Sequence, residues 1–186
     1  MKTKVLILTV LGLLGVTTLR AQNIALSTNI AGYANWGTLN LEASCSVARQ
    51  WTVNAGVKYN PFSFKAGEDE HPVNNRQRLL AAGTRFWPWH VYSGWWIAGK
   101  VQYQEYNLGG ITSAETTEGD RIGFGATVGY TYMLAKHFNL EFGLGGWVGA
   151  DFYSVYECPV CGLTVDSGRK GFILPNDIIV AISYIF

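Results

Sequence analysis

Charge is scarce in this chain: Lys, Arg, Asp and Glu supply 15% of its 186 residues, and the net charge at pH 7 is +1. That balance provides neither a basic stripe for a nucleic-acid backbone nor an acidic run for cations. Long apolar runs are also missing. The one near the start, Val5 to Val16, is too short to cross roughly 30 Å of hydrocarbon as a helix. With three cysteines there is no dense disulfide framework, and no second Cys-x-x-Cys pair accompanies Cys158 and Cys161. The three histidines, His71, His90 and His137, are scattered, and no motif sets a base beside a hydroxyl. No catalytic residue, resident metal or cofactor is therefore assigned. What the chain has in excess is glycine, 22 residues, and aromatic side chains, 14%.

The amino terminus has the order of a secretory signal peptide: Lys2 and Lys4, the apolar run, then Thr17–Ala21. Residues 1–21 are expected to be removed, leaving one domain over 22–186. From there no helical period appears, only segments of about ten residues that alternate in polarity between turn-rich stretches. Eight are read: 23–32, 38–48, 51–60, 77–87, 95–105, 121–132, 138–148 and 176–186. The last, NDIIVAISYIF, puts Ile178, Val180, Ile182, Tyr184 and Phe186 on one face, and Pro175 is read as its starter.

Two regularities select one architecture among the all-β classes. Long connections, 62–76, 107–120 and 156–171, alternate with short ones at 49–50, 88–93 and 134–137, as in an up-and-down barrel with one looped rim. Across the apolar faces no Lys, Arg, Asp or Glu occurs. A Lys or Arg there would cost roughly 2–4 kcal/mol near a bilayer midplane. The charges take the other parity: Glu42, Lys58, Arg85, Lys100, Arg121, Glu141 and Asp177 are expected to point inward, with Arg78 and Glu105 breaking the pattern at loop ends. Trp51, Phe138 and Phe186 at one end and Tyr59 and Tyr103 at the other read as two aromatic belts. The expectation is an eight-stranded antiparallel up-and-down transmembrane β-barrel in the bacterial outer membrane, reached through the periplasm, with the long loops outside the cell.

The opening AQNIALSTNI, the segment WTVNAGVKYNPFSF, the YNLGG before a long loop, the CPVCG of the last loop and the SYIF terminus resemble the small Bacteroidetes outer-membrane barrels grouped as DUF3575. The resemblance covers essentially the whole mature chain. It implies an eight-stranded outer-membrane barrel and no activity.

Three constellations remain. Cys158 and Cys161 read as a disulfide or redox-labile pair in the last long loop, with half a zinc knuckle or inert thiols as alternatives. The inward charges Glu42, Lys58, Arg85, Lys100 and Glu141 read as a paired polar plug, because eight strands enclose a space that side chains fill. Tyr184 and Phe186 read as the assembly signal for the barrel-assembly machinery. Expected partners are outer-membrane lipid and an unknown surface protein or glycan at the outer loops. The functional expectation is a structural or interaction protein, with a narrow channel and then a lipid-modifying enzyme as alternatives.

Overall fold

Period-two alternation sends successive side chains to opposite faces, and in a sheet that closes on itself those faces become an inside and an outside. The computed structural model describes residues 24–64, 73–109, 115–157 and 163–186, except for the side chains of Asn176 and Asp177. The expected leader lies outside them. The strands are β1 (Ile24–Asn29), β2 (Leu39–Ala48), β3 (Trp51–Asn60), the short β4 (Ser63–Phe64), β5 (Val73–Phe86), β6 (Gly94–Gly109), β7 (Thr116–Met133), β8 (Phe138–Tyr156) and β9 (Thr164–Ile185), with one helical turn, α1 (Ile30–Tyr33), after β1. All pairings are antiparallel. β4 pairs only with the start of β5, and the other eight form a closed ring, because β3 pairs with β5 and β1 with β9.

Lateral pairing defines the ring's stagger. A path from Ser183 through Ser27, Glu42, Gly56, Ala81, Gln102, Gly123 and Gly149 returns to β9 at Phe172, eleven residues away. One of the eleven is Asn176, inserted at a bulge where Gly145 faces Asp177 and Gly146 faces Pro175. The net slip of ten residues is about 33 Å against roughly 38 Å for eight strands abreast, a strand tilt of about 40°.

Pro175 thus occupies the interior of β9, at the bulge, rather than its start. A bulge is where a strand tolerates a residue with no N–H to donate. The strands also run further than alternation indicated. Pairing of β6 with β7 continues to Gly109 and Thr116, and pairing of β8 with β9 to Tyr156 and Thr164, so the expected loops 107–120 and 156–171 are largely ladder. Likewise β5 begins at Val73, inside the expected loop 62–76. Stretches such as Thr116–Asp120 are polar on both faces, which erases the alternation while leaving the backbone hydrogen bonds intact.

Parity sorts the side chains sharply. Buried inside are Thr52, Asn54, Arg85, Trp96, Gln102, Thr127, Thr131, Asn139, Glu141, Trp147 and Ser183. Outside, Leu41, Val53, Val57, Leu80, Ile97, Val101, Phe124, Val128, Phe142, Leu144 and Ile178 are all exposed. Cys45, a free thiol, keeps the outward parity, between Ile24 and Val53.

One end of the interior is closed by the turn between β5 and β6. Trp87 leaves β5 and turns inward, completely buried, and with Tyr92, Trp96, Ala98, Ala25 and Ile185 it forms the apolar core. Trp87 packs on Tyr92 and Trp96 at 5.9 and 6.1 Å between ring centres. Each indole N–H is satisfied, Trp87 donating to Thr52 Oγ1 at 3.1 Å and Trp96 to Thr131 Oγ1 at 3.0 Å. Asn139 Nδ2 ties the turn down by donating to the Tyr92 carbonyl at 2.7 Å. Trp96 fits because its ring lies over Gly129, where an added Cβ would fall 2.3 Å from it.

Candidate functional site

Three polar assemblies follow one another from the closed end towards the opposite end. In the first, β5 carries Arg85 across the interior between Glu141 of β8 and Glu42 of β2. Its Nη1 donates to Glu141 Oε2 at 2.7 Å and its Nη2 to Glu42 Oε1. The guanidinium also lies over the Trp96 ring, 4.3 Å from its centre. Arg85 and Glu141 side chains are 7% and 4% exposed, so this cation bridges two carboxylates away from bulk water. Lys58 and Lys100 line the same interior cavity of about 60 Å³ as these three, and both have interaction partners. The five inward charges read from the sequence therefore converge on one place. That volume holds a few waters and no larger ligand.

Of the second assembly only Arg121 was read from the sequence, as an inward charge. Asp151, 1% exposed, accepts from Tyr106 OH at 2.7 Å and faces Arg121 Nε at 3.2 Å and Lys170 Nζ at 3.9 Å. Arg121 lies over the Tyr106 ring at 3.9 Å. Asp151, Tyr106 and Lys170 fell in stretches taken as strand ends or loops. Asp151 does share the parity of Glu141 along β8, which is the signal that would have found it.

The third assembly faces outward. Tyr59, Arg78, Glu105, Asp120, Phe152 and Arg169 form one lateral row across six strands. Arg78 pairs with Glu105 at 3.5 Å, and Tyr103 OH donates to Asp120 at 3.0 Å. The parity breakers Arg78 and Glu105 are thus partners on the outer face. This row and the next beyond it line an open groove of about 710 Å³, whose walls include Arg76, Asn107, Glu118, Ser154 and Ser167. Tyr156 OH donates to Glu118 Oε1 at 2.7 Å, and this acceptor holds the phenol pKa above its usual 10.0.

The last strand closes on the first. Ala25–Asn29 pairs with Ala181–Ile185, and Phe186 N–H donates to the Ile24 carbonyl at 2.9 Å. Tyr184 packs edge-on against Phe186 and Phe138, with centres 4.9 and 5.1 Å apart. His137 stacks on Tyr184, and its Nδ1 is 2.8 Å from the Ile185 carbonyl. His90 Nδ1 lies 3.0 Å from the Val91 carbonyl in the β5–β6 turn, where His90 also bridges to Ser93. Cys158, Cys161 and His71 lie outside the described residues, as does the side chain of Asp177. Among the described residues no group of three or more His, Cys, Asp or Glu is arranged to hold a metal.

These features define an all-β protein of closed antiparallel ring type, polar within and apolar without, with no described helix long and apolar enough to cross a membrane. The chain belongs to the DUF3575 family, described as a protein of unknown function, whose model matches residues 6–186. No curated protein and no solved structure gives a significant match.

Proposed function

We propose that the ring is an eight-stranded transmembrane β-barrel of the bacterial outer membrane, of structural or interaction type, delivered there by a cleaved leader over residues 1–21. The observation that carries this reading is the outward belt. Between Trp51, Trp95, Phe138 and Tyr184 at one end and Tyr59 and Tyr103 at the other, the outward positions are apolar or small and uncharged. Along β6, Trp95 and Tyr103 are eight residues apart, roughly 26 Å of strand and about 20 Å of height at the tilt derived above, a little under the roughly 25 Å apolar band of outer-membrane barrels. In water such a continuous face would far exceed the few hundred Å² of apolar patch that monomers usually expose. Lipid is its natural cover.

On this reading Tyr184 and Phe186 form the periplasmic rim and present the terminal strand to the assembly machinery. The extended ends of β5–β9 and the regions 62–76, 107–120 and 156–171 meet a surface partner, protein or glycan. The Arg85 cluster and the Trp87–Tyr92–Trp96 core oppose a channel, since together they fill the interior and stopper one end. The test is recovery from outer-membrane fractions together with heat-modifiable mobility on a denaturing gel. A mature chain that is wholly soluble refutes the barrel, and discrete conductance in planar bilayers refutes the plugged interior.

A further inference from the structure

The outward face carries two grooves on neighbouring rows. The first is the polar groove at the row Tyr59, Arg78, Glu105 and Asp120. The second, about 470 Å³, is almost wholly apolar and is cut into the belt itself. Its floor is the lateral run Ala43, Ala55 and Ala82, where three small side chains lie abreast on β2, β3 and β5. Its upper wall is the next outward row, Leu41, Val57, Leu80, Tyr103 and Ile122. Two residues further along the same strands, Val57 gives way to Tyr59, Leu80 to Arg78, Tyr103 to Glu105 and Ile122 to Asp120. On four adjacent strands, one step of outward side chains leads from the apolar groove into the polar one.

From this adjacency we infer that the face between β2 and β7 is a binding site for one membrane lipid with a phosphate-bearing head group, resting on the transmembrane reading above. An acyl chain fills the groove over Ala43, Ala55 and Ala82, where surrounding large side chains otherwise leave a trough. The head group then lies in the polar groove. There Arg76 has no ion-pair partner among the described residues, while Arg78 is engaged by Glu105 and stacks over Tyr59 at 5.9 Å. Arg76 takes the phosphate, and Asn107, Ser154 and Ser167 offer hydrogen bonds to its other polar groups. Glu118 accepts from Tyr156 and Asn107 and, like Glu105 beside Arg78, keeps its negative charge, so the phosphate is held on the Arg76 side of the groove. Free phosphate alone leaves the apolar groove empty, so the occupant is the whole amphiphile.

The test is native mass spectrometry of the full chain inserted in nanodiscs of phosphatidylethanolamine and phosphatidylglycerol, then released into mild detergent. Wild type should retain one lipid per molecule. Filling the trough with Ala55→Leu and Ala82→Leu should lower that occupancy at least fivefold, as should Arg76→Ala, whereas Val148→Leu on the far side of the belt should not. Ten millimolar inorganic phosphate should not displace the lipid. Equal retention by the trough-filled variant, or an inserted wild type with no retained lipid, overturns the site alone. Failure of wild type to enter the nanodisc overturns the membrane reading as well.

Discussion

Replacing Arg85 with methionine removes the cation between two carboxylates and leaves a side chain of similar length. Glu141 is 4% exposed and Glu42 26%, so neither carboxylate recovers full hydration when the guanidinium goes. Breaking a buried pair by deleting one partner costs about 3–5 kcal/mol, because the surviving charge is left uncompensated. Loss of the stacking on Trp96 adds roughly 1 kcal/mol. The rim pair Arg78–Glu105 has side chains 62% and 48% exposed, and Arg78→Ala should cost less than about 1 kcal/mol. Urea unfolding followed by tryptophan emission separates the two, since Trp87 and Trp96 are wholly or nearly wholly buried beside the cluster. Adding Glu42→Gln and Glu141→Gln to Arg85→Met should restore part of the loss, because the two carboxylates that faced the guanidinium are then neutral while Lys58 and Lys100 stay in the cavity. A single Arg85→Met that loses no more than the Arg78 variant would show the interior to be hydrated, and the plug argument would fail.

Gly129→Ala should destabilise the ring by about 1–3 kcal/mol in the same unfolding assay, because its Cβ would meet both the Trp96 ring and the Phe142 carbonyl. Deleting Phe186 should reduce the amount of chain recovered in outer membranes by several fold while leaving the mobility of the assembled fraction unchanged; equal recovery would refute its role as an assembly signal. The Tyr156 phenol, raised above 10.0 by its hydrogen bond to Glu118, keeps that contact below pH 10 and loses it as pH rises through the raised value. Glu118→Gln should therefore move that phenol's ultraviolet titration back towards 10, read by difference against Tyr156→Phe.

The strand faces were legible because the belt writes the same rule on every strand. Leu39–Val47, Trp51–Tyr59 and Ile122–Tyr132 each alternate large outward residues with small or polar inward ones, and inside and outside solvate side chains oppositely. Inward charges were legible for the same reason, though parity alone does not say that Arg85 reaches both Glu42 and Glu141, which lie on three different strands. Two features were hidden. Strand beyond the belt keeps its ladder but meets polar surroundings on both faces, so Asp151, Tyr106 and the outer groove carried no periodic mark. The burial of Trp87 and Tyr92 depends on a turn bending inward, with Tyr92 at φ 63° and Gly94 at φ 75°, which hydropathy does not encode.

The stagger ties these hidden parts together. A lateral row climbs as it passes from β1 towards β9, so strands on the late side must be longer to reach a common lower rim, and they are: 6 residues in β1, 14 in β5 and 22 in β9. The outer groove arises where that rising wall leaves the apolar belt. Its register on β9 includes one inserted residue, Asn176. Below the bulge Ala181, Ser183 and Ile185 face inward, and above it Lys170 reaches Asp151 while Ile173, 84% exposed, faces out. Removing Asn176 takes out only the extra residue: Pro175 is then joined directly to Asp177, in the register that Gly146 and Gly145 already hold, and both faces of upper β9 are kept. Removing a residue from the regular ladder below the bulge, such as Ile179, instead leaves the strand one residue short and exchanges the faces on one side of the gap, turning Ile173 towards a polar interior and Lys170 away from Asp151 unless the ladder to β8 breaks. The two outcomes are read with a cysteine at position 173. A membrane-soluble maleimide should label it readily in the full chain and equally after deletion of Asn176, whereas after deletion of Ile179 labelling should fall at least tenfold or upper β9 should lose its hydrogen-exchange protection. A loss of labelling on deletion of Asn176 would show that this residue is part of the ladder rather than a bulge.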